Sequence, residues 1–257
     1  MIVALIDSGL GLLPTAGWLR TKRPDLDLVL ALDPEGAPWG PKPKEWVTAR
    51  VLDAVGTCLA HGAEVIVLPC NTASVTALDD VRAFVGPSVP VVGTVPAVKP
   101  AAAQCDSVAI WATAATTASR YQAKLVEDFG GDATVVGVAC HGLADAIDAG
   151  DPDAIRSAVA RAAAATPDDV TGVVLGCTHY PLVADEIASA LPSGVRLFDS
   201  AEAVAAQTIR RIEALGRPAS GEGTVTVLTS GKRGALPAAA ERYAAGRTVL
   251  GGVVSRP

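Results

Sequence analysis

Aromatic side chains make up only 4% of this 257-residue chain, and charged ones 19%. The apolar half of the composition is carried by Ala and Val with some Leu. Such small side chains suit closely packed helix–sheet layers and predict an α/β fold. No apolar run reaches about 18 residues, so no membrane-spanning helix is expected. The first strand pattern carries Asp7 where a secretory leader would need a basic segment and a cleavage site. The expectation is a cytoplasmic protein with no membrane partner. A basic stripe is also missing: the net charge of −6 is spread along the chain, which argues against a nucleic-acid partner. An anionic substrate would have to be held by local donors. The five cysteines are odd in number and contain no CxxC, so a disulfide framework is not expected, and Cys58 and Cys105 read as small core residues.

Cofactor signatures are missing too. Asp7-Ser8-Gly9-Leu10-Gly11 follows a strand, but a dinucleotide fingerprint would want a third glycine where Pro14 stands. Lys99 and Lys124 could carry a pyridoxal aldehyde, yet neither sits in a phosphate cradle. Cys70, Cys177 and His179 lack the paired spacing of a zinc site. The expectation is no cofactor and no metal.

What the chain does contain is a recurring pattern of strand, small residues and helix. The stretch Val65-Ile66-Val67-Leu68-Pro69-Cys70-Asn71-Thr72 ends a strand on a thiol, and Gly172-Val173-Val174-Leu175-Gly176-Cys177-Thr178-His179 does so again. Strand ends at Asp7 and Cys70 lie 63 residues apart (70 − 7), and those at Thr113 and Cys177 lie 64 apart (177 − 113). This spacing predicts two similar α/β lobes with parallel-rich sheets related by a pseudo-two-fold, with an active site in the cleft between them. Ligands in open sheets bind beyond the carboxyl ends of strands. Helices are expected over 14–20, 45–61, 74–84, 181–190, 201–215 and 237–245, and a last strand over 249–254. Between Asp33 and Pro43 four prolines and two glycines make a stiff loop around Trp39, either surface padding or a wall of the site.

A free thiol is mostly protonated at neutral pH, and a helix N-terminus beneath it favours the thiolate. Both Cys70 and Cys177 are expected where a helix begins, with Asp7 and His179 as proton partners. One thiolate removing a proton from carbon while the opposite thiol returns one would make a two-base racemase or epimerase. A cysteine hydrolase would leave the second thiol unused. A non-catalytic binding protein retaining the fold would not need both.

Several segments resemble those of cofactor-independent glutamate racemase in the aspartate/glutamate racemase superfamily. They are Asp7-Ser8-Gly9, Cys70-Asn71-Thr72-Ala73, Pro96-Ala97-Val98-Lys99, Ala112-Thr113-Ala114-Ala115-Thr116 and Gly176-Cys177-Thr178-His179-Tyr180-Pro181, with Asp199-Ser200 and Thr229-Ser230-Gly231 following in order. The resemblance implies a first lobe of residues 1–94 plus 208–257 and an inserted second lobe of 95–207. It implies Cys70 and Cys177 as acid/base groups, assisted by Asp7 and His179 respectively. Asn71, Thr72 and Thr178 would hold the α-carboxylate, and Asp7 and Ser8 the ammonium. Pro38, Trp39, Gly40, Thr113 and Thr116 would line the remainder. A homodimer that supplies D-glutamate for peptidoglycan is the implied setting. The chain departs from the family pattern at Trp39, where tyrosine is usual, and at Cys140-His141-Gly142, where Cys-Pro is usual. Asp148 takes the place of a glutamate. His141 and Asp148 are accessory candidates, and the departures leave aspartate or another small carboxylated metabolite as alternative substrates.

Overall fold

The computed structural model describes residues 1–216, 218 and 220–251. By its internal contacts the chain forms two units, Met1–Thr94 together with the chain from Ala201 on, and Val95–Ser200.

The first unit opens with β1 (Ile2–Asp7), a 3-10 turn at Leu10–Leu12, α1 (Leu13–Lys22), β2 (Asp27–Leu32), α2 (Lys44–Ala60), β3 (Val65–Leu68), α3 (Asn71–Val85) and β4 (Val91–Gly93). Pro14 stands in the first turn of α1, where its missing N–H is not needed. The strands β1 and β3 are apolar on both faces and almost wholly buried, as expected of parallel strands covered by helices on each side. Trp39, Val51, Ile66 and Ala77 lie in one continuous core with Cys58. Burial pushes the Cys58 thiol up to about 12, so it is an inert packing residue.

The second unit contains α4 (Val98–Ala102), β5 (Ser107–Ala112), α5 (Ala114–Thr117), α6 (Arg120–Phe129), β6 (Thr134–Ala139), α7 (Leu143–Ala149), α8 (Pro152–Ala164), β7 (Gly172–Leu175), a 3-10 turn at Tyr180–Val183, α9 (Ala184–Ala190) and β8 (Arg196–Phe198). Its small core joins Val98, Val108, Ile110 and Val174 with Cys105. Asp151 caps α8, its carboxylate accepting from the N–H groups of Asp153 and Ala154 at 3.0 Å each.

The chain then returns to the first unit through α10 (Ala201–Glu213), β9 (Val225–Thr229), the two-residue β10 (Lys232–Arg233), a 3-10 turn at Ala238–Arg242 and α11 (Ala244–Gly251). Helix α10 is a single element that packs on α1 and β4. The return therefore begins at its first residue, Ala201, and position 208 lies inside the helix. Residues 249–251, expected to open a strand, close α11 instead, and 252–254 lie outside the described residues. Gly246 explains part of this: a Cβ there would lie 2.0 Å from the Ala240 carbonyl oxygen, so the segment folds tightly back on the preceding turn.

The first sheet runs β10-β9-β2-β1-β3-β4 and the second β6-β5-β7-β8. Among the described residues the strands pair in parallel except β9 with β10. Apart from the added β9 and β10, the two orders are the same: the first strand is central, the second lies on one side, and the third and fourth lie on the other. In each sheet the order reverses beside the central strand, at β1/β3 and at β5/β7. The carboxyl ends there are where an open sheet presents a ligand site. They carry Asp7 and Cys70 in one unit, Thr113 and Cys177 in the other.

Candidate active site

In the first unit Asp7 is the last residue of β1 and is only 1% exposed. Its carboxylate Oδ1 accepts from the Ser8 N–H at 2.6 Å and from the Ser8 hydroxyl at 3.3 Å. Cys70 follows the neighbouring β3 in extended conformation, 6% exposed, as the N-cap residue of α3. Its side chain makes no capping hydrogen bond to this 15-residue helix, and the residue stands at the positive end of α3, directly before Asn71 and Thr72. The helix begins at Asn71 rather than at Ser74. Ser74 fixes that start: its hydroxyl donates to the Leu68 carbonyl at 3.0 Å and accepts from the Thr94 N–H at 2.9 Å, while its own N–H donates to the Cys70 carbonyl at 2.9 Å. One buried hydroxyl thus ties the end of β3, the start of α3 and the end of β4.

The second unit supports its thiol differently. No regular helix begins after Cys177; a bend and the 3-10 turn intervene before α9, contrary to the expectation of matching helix N-termini. Pro181 inside that turn and the wholly buried Tyr180 favour the tighter geometry. A histidine–carboxylate pair stands in its place. His179 Nδ1 lies 3.7 Å from Cys177 Sγ, and His179 Nε2 lies 3.1 Å from each carboxylate oxygen of Asp148 on α7. His179 is 5% exposed. Burial alone would push its pKa down, but the Asp148 charge and hydrogen bond, with the Cys177 contact, raise it well above the usual histidine range. These contacts favour the protonated imidazole, with Nε2 against Asp148 and Nδ1 against the sulfur.

Gly176 makes the approach of Cys177 to the sheet possible. Its N–H donates to the Trp111 carbonyl at 2.7 Å, and a Cβ at this position would lie 2.9 Å from that same oxygen. Beside β5, the Thr113 hydroxyl caps the short α5 and lies 3.0 Å from the Thr116 hydroxyl. Thr178 is partly exposed next to Cys177.

In the segments that depart from the family pattern, Trp39 and Cys140 are buried and His141 is exposed. The Trp39 indole does not form an open wall: it is 1% exposed in the core, with Nε1 donating to Asp33 Oδ2 at 2.9 Å. Pro38 and Gly40 on either side remain accessible. His141 is exposed, and its backbone carbonyl accepts from Arg161 at 3.4 Å. Cys140 is buried, its thiol pushed up to about 12 by burial beside Tyr180. Among the described residues, no group of three or more His, Cys, Asp or Glu is arranged to hold a metal ion, and no helix is long and apolar enough to cross a membrane.

Residues 24–208 match the family model described as Asp/Glu/hydantoin racemase. The glutamate racemase of Herpetosiphon aurantiacus is 36% identical over 236 residues, covering 89% of this chain and 92% of that protein. That of Pectobacterium carotovorum is 36% identical, with 84% of this chain and 78% of the relative covered. Among solved structures, Escherichia coli glutamate racemase in complex with L-glutamate and the activator UDP-MurNAc-Ala superposes with a TM-score of 0.82 at 30% identity, covering 94% of this chain and 91% of that one. The Aquifex pyrophilus enzyme gives 0.72 at 26% identity, with 98% and 95% covered. The chain belongs to the Asp/Glu/hydantoin racemase family.

Proposed function

We propose that this protein interconverts L- and D-glutamate without a cofactor, with Cys70 and Cys177 as the two proton-transfer groups. The observation that carries the reading is the placement of two thiols at equivalent strand ends of two sheets of equivalent order, each with its own electrostatic support. Inverting a carbon centre by two bases requires removal of the α-proton on one face and delivery on the other. One thiolate takes the α-proton and becomes a thiol. The electron pair left on Cα delocalises into the carboxylate, and the opposite thiol gives its proton to Cα and becomes a thiolate. The reverse reaction exchanges these roles, so protons and charge balance over a turnover.

On Cys177 the charged imidazole of His179 stabilises the thiolate and can return a proton to it. On Cys70 the N-terminus of α3 provides the stabilisation, and Asp7 serves as the neighbouring acid/base partner. Asn71, Thr72 and Thr178 would hold the substrate α-carboxylate, with Ser8 and Asp7 on its ammonium and Thr113, Thr116 and the Pro38 and Gly40 backbone around the side chain. Oriented donors of this kind contribute about 3 kcal/mol each to a developing oxyanion. A cytoplasmic homodimer feeding D-glutamate to peptidoglycan synthesis is the setting this reading proposes.

The test is α-proton exchange in heavy water across L and D forms of glutamate, aspartate and other amino acids. Glutamate should gain α-deuterium while it racemises. Cys70→Ser and Cys177→Ser should each lower racemisation by about a thousandfold or more, in line with losses on removing a reacting group. Near-full turnover by both variants would sink the two-thiol mechanism, and exchange with another substrate alone would reassign specificity.

A further inference from the structure

Just beyond β2, Asp33 collects hydrogen-bond donors from three separate pieces of chain, although it is only 5% exposed. Trp39 Nε1 and Arg50 Nε each donate to Oδ2 at 2.9 Å. Arg50 Nη2 completes a bidentate pair on Oδ1, which also accepts from the Ser230 hydroxyl at 2.9 Å. The donors come from the 34–43 loop, from α2 and from the turn after β9. Burial opposes ionisation of Asp33, but the Arg50, Trp39 and Ser230 hydrogen bonds hold its carboxyl below the usual range. Gly36 closes the junction, since a Cβ there would fall 2.1 Å from Asp33 Oδ2.

The backbone of the same residue reaches the acid/base group. The Asp33 N–H donates to the Ser8 carbonyl at 3.3 Å, and the N–H and hydroxyl of Ser8 both donate to Asp7 Oδ1. Hydrogen bonds joined through the residues Asp33 and Ser8 themselves therefore connect Trp39 and Arg50 to the Asp7 carboxylate.

We propose that Asp33, held by Arg50, is a positioning residue for the Cys70 half of the reaction, fixing the Pro38-Trp39-Gly40 loop and, through Ser8, the orientation of Asp7. The proposal rests on the racemase reading above. It also accounts for Trp39, whose indole N–H anchors the loop in a way that a phenol at this position would not reproduce with the same geometry.

The test compares Asp33→Asn, Arg50→Met, Arg50→Lys and the milder Ser230→Ala. Asparagine keeps the shape but turns an NH2 toward donors that need an acceptor. Asp33→Asn and Arg50→Met should raise KM for glutamate about tenfold, with a smaller change in kcat. Arg50→Lys should recover part of that loss, since lysine keeps the charge without the fork. Ser230→Ala, which removes one donor of several, should shift KM by about twofold. The readout that a purely structural role would not move is thiol alkylation by iodoacetamide, followed residue by residue by mass spectrometry. The Cys70 rate should change at least about threefold in Asp33→Asn while that of Cys177 stays near wild type. Unchanged KM and unchanged Cys70 labelling, or equal shifts of both thiols in step with a fall in Tm, would overturn the proposal. If the wild-type protein does not racemise glutamate, the functional reading fails separately, and the Cys70-to-Cys177 labelling ratio still decides the positioning role.

Discussion

His179 shows how far a single side chain can be read in advance. Its place two residues beyond Cys177 is visible in the sequence, and so is its candidacy as a proton partner. Its anchor is harder to see, because Asp148 lies 31 residues upstream on a different element, and only the family motif points there. The pair makes a pH prediction. A histidine whose folded pKa is raised contributes stability that is complete below the unfolded value, about 6.5, and is lost as pH rises through the folded one. Asp148→Asn removes the carboxylate that opposes burial, so this loss should move to lower pH. The alkaline limb of kcat/KM should move the same way, with about a tenfold to hundredfold lower rate near neutrality. Tm and rate profiles measured from about pH 5 to pH 10 check both. Identical profiles for the two proteins would mean that Asp148 does not govern the imidazole.

Elements differ in how strongly neighbouring residues dictate them. The helix after Cys70 is legible as a helix, but not its start, because the Ser74 contacts that fix Asn71 as the first residue join positions 68 and 94. A matching helix directly after Cys177 does not form, because the Tyr180-Pro181 turn supports 3-10 geometry and α9 begins only at Ala184. The two thiols therefore stand at equivalent strand ends and differ in support, one at a helix N-terminus and the other beside a histidine. Ser74→Ala should cost about 1–3 kcal/mol, since it removes the buried hydroxyl that bridges the Leu68 carbonyl and the Thr94 N–H, and lower kcat through the Cys70 turn. Gly176→Ala should act on the other strand end: relieving a contact of 2.9 Å with backbone oxygen forces the Cys177 segment away from β5, at about 1–3 kcal/mol. Urea titration and glutamate turnover of both variants measure this. Full activity in Gly176→Ala would show that Cys177 tolerates the displacement.

The molecule as a whole is built from two units of matching strand order, and that much follows from strand-end spacing because βα units repeat at similar length. The added β9–β10 pair does not follow from the repeat. Strand β9 joins the first sheet beside β2, after the chain has passed through the whole second unit, and such long-range pairing leaves no periodic trace. Its closure depends on a few bonds between the N-terminal region and the returning segment. Asp27 Oδ1 accepts from the Glu222 N–H at 3.1 Å, the Thr224 N–H at 2.9 Å and the Thr224 hydroxyl at 2.7 Å. Arg20 reaches the Thr224 carbonyl at 3.3 Å while also holding those of Pro24 and Leu26. Asp27→Ala should therefore weaken the joint by about 1–2 kcal/mol and raise amide hydrogen exchange first along β2 and β9. Protection in β5 and β7 should be unchanged, because these Asp27 bonds all lie within the first unit. Faster exchange spread evenly over both sheets would mean that the two units unfold as one and that the returning strand is not a separate closure.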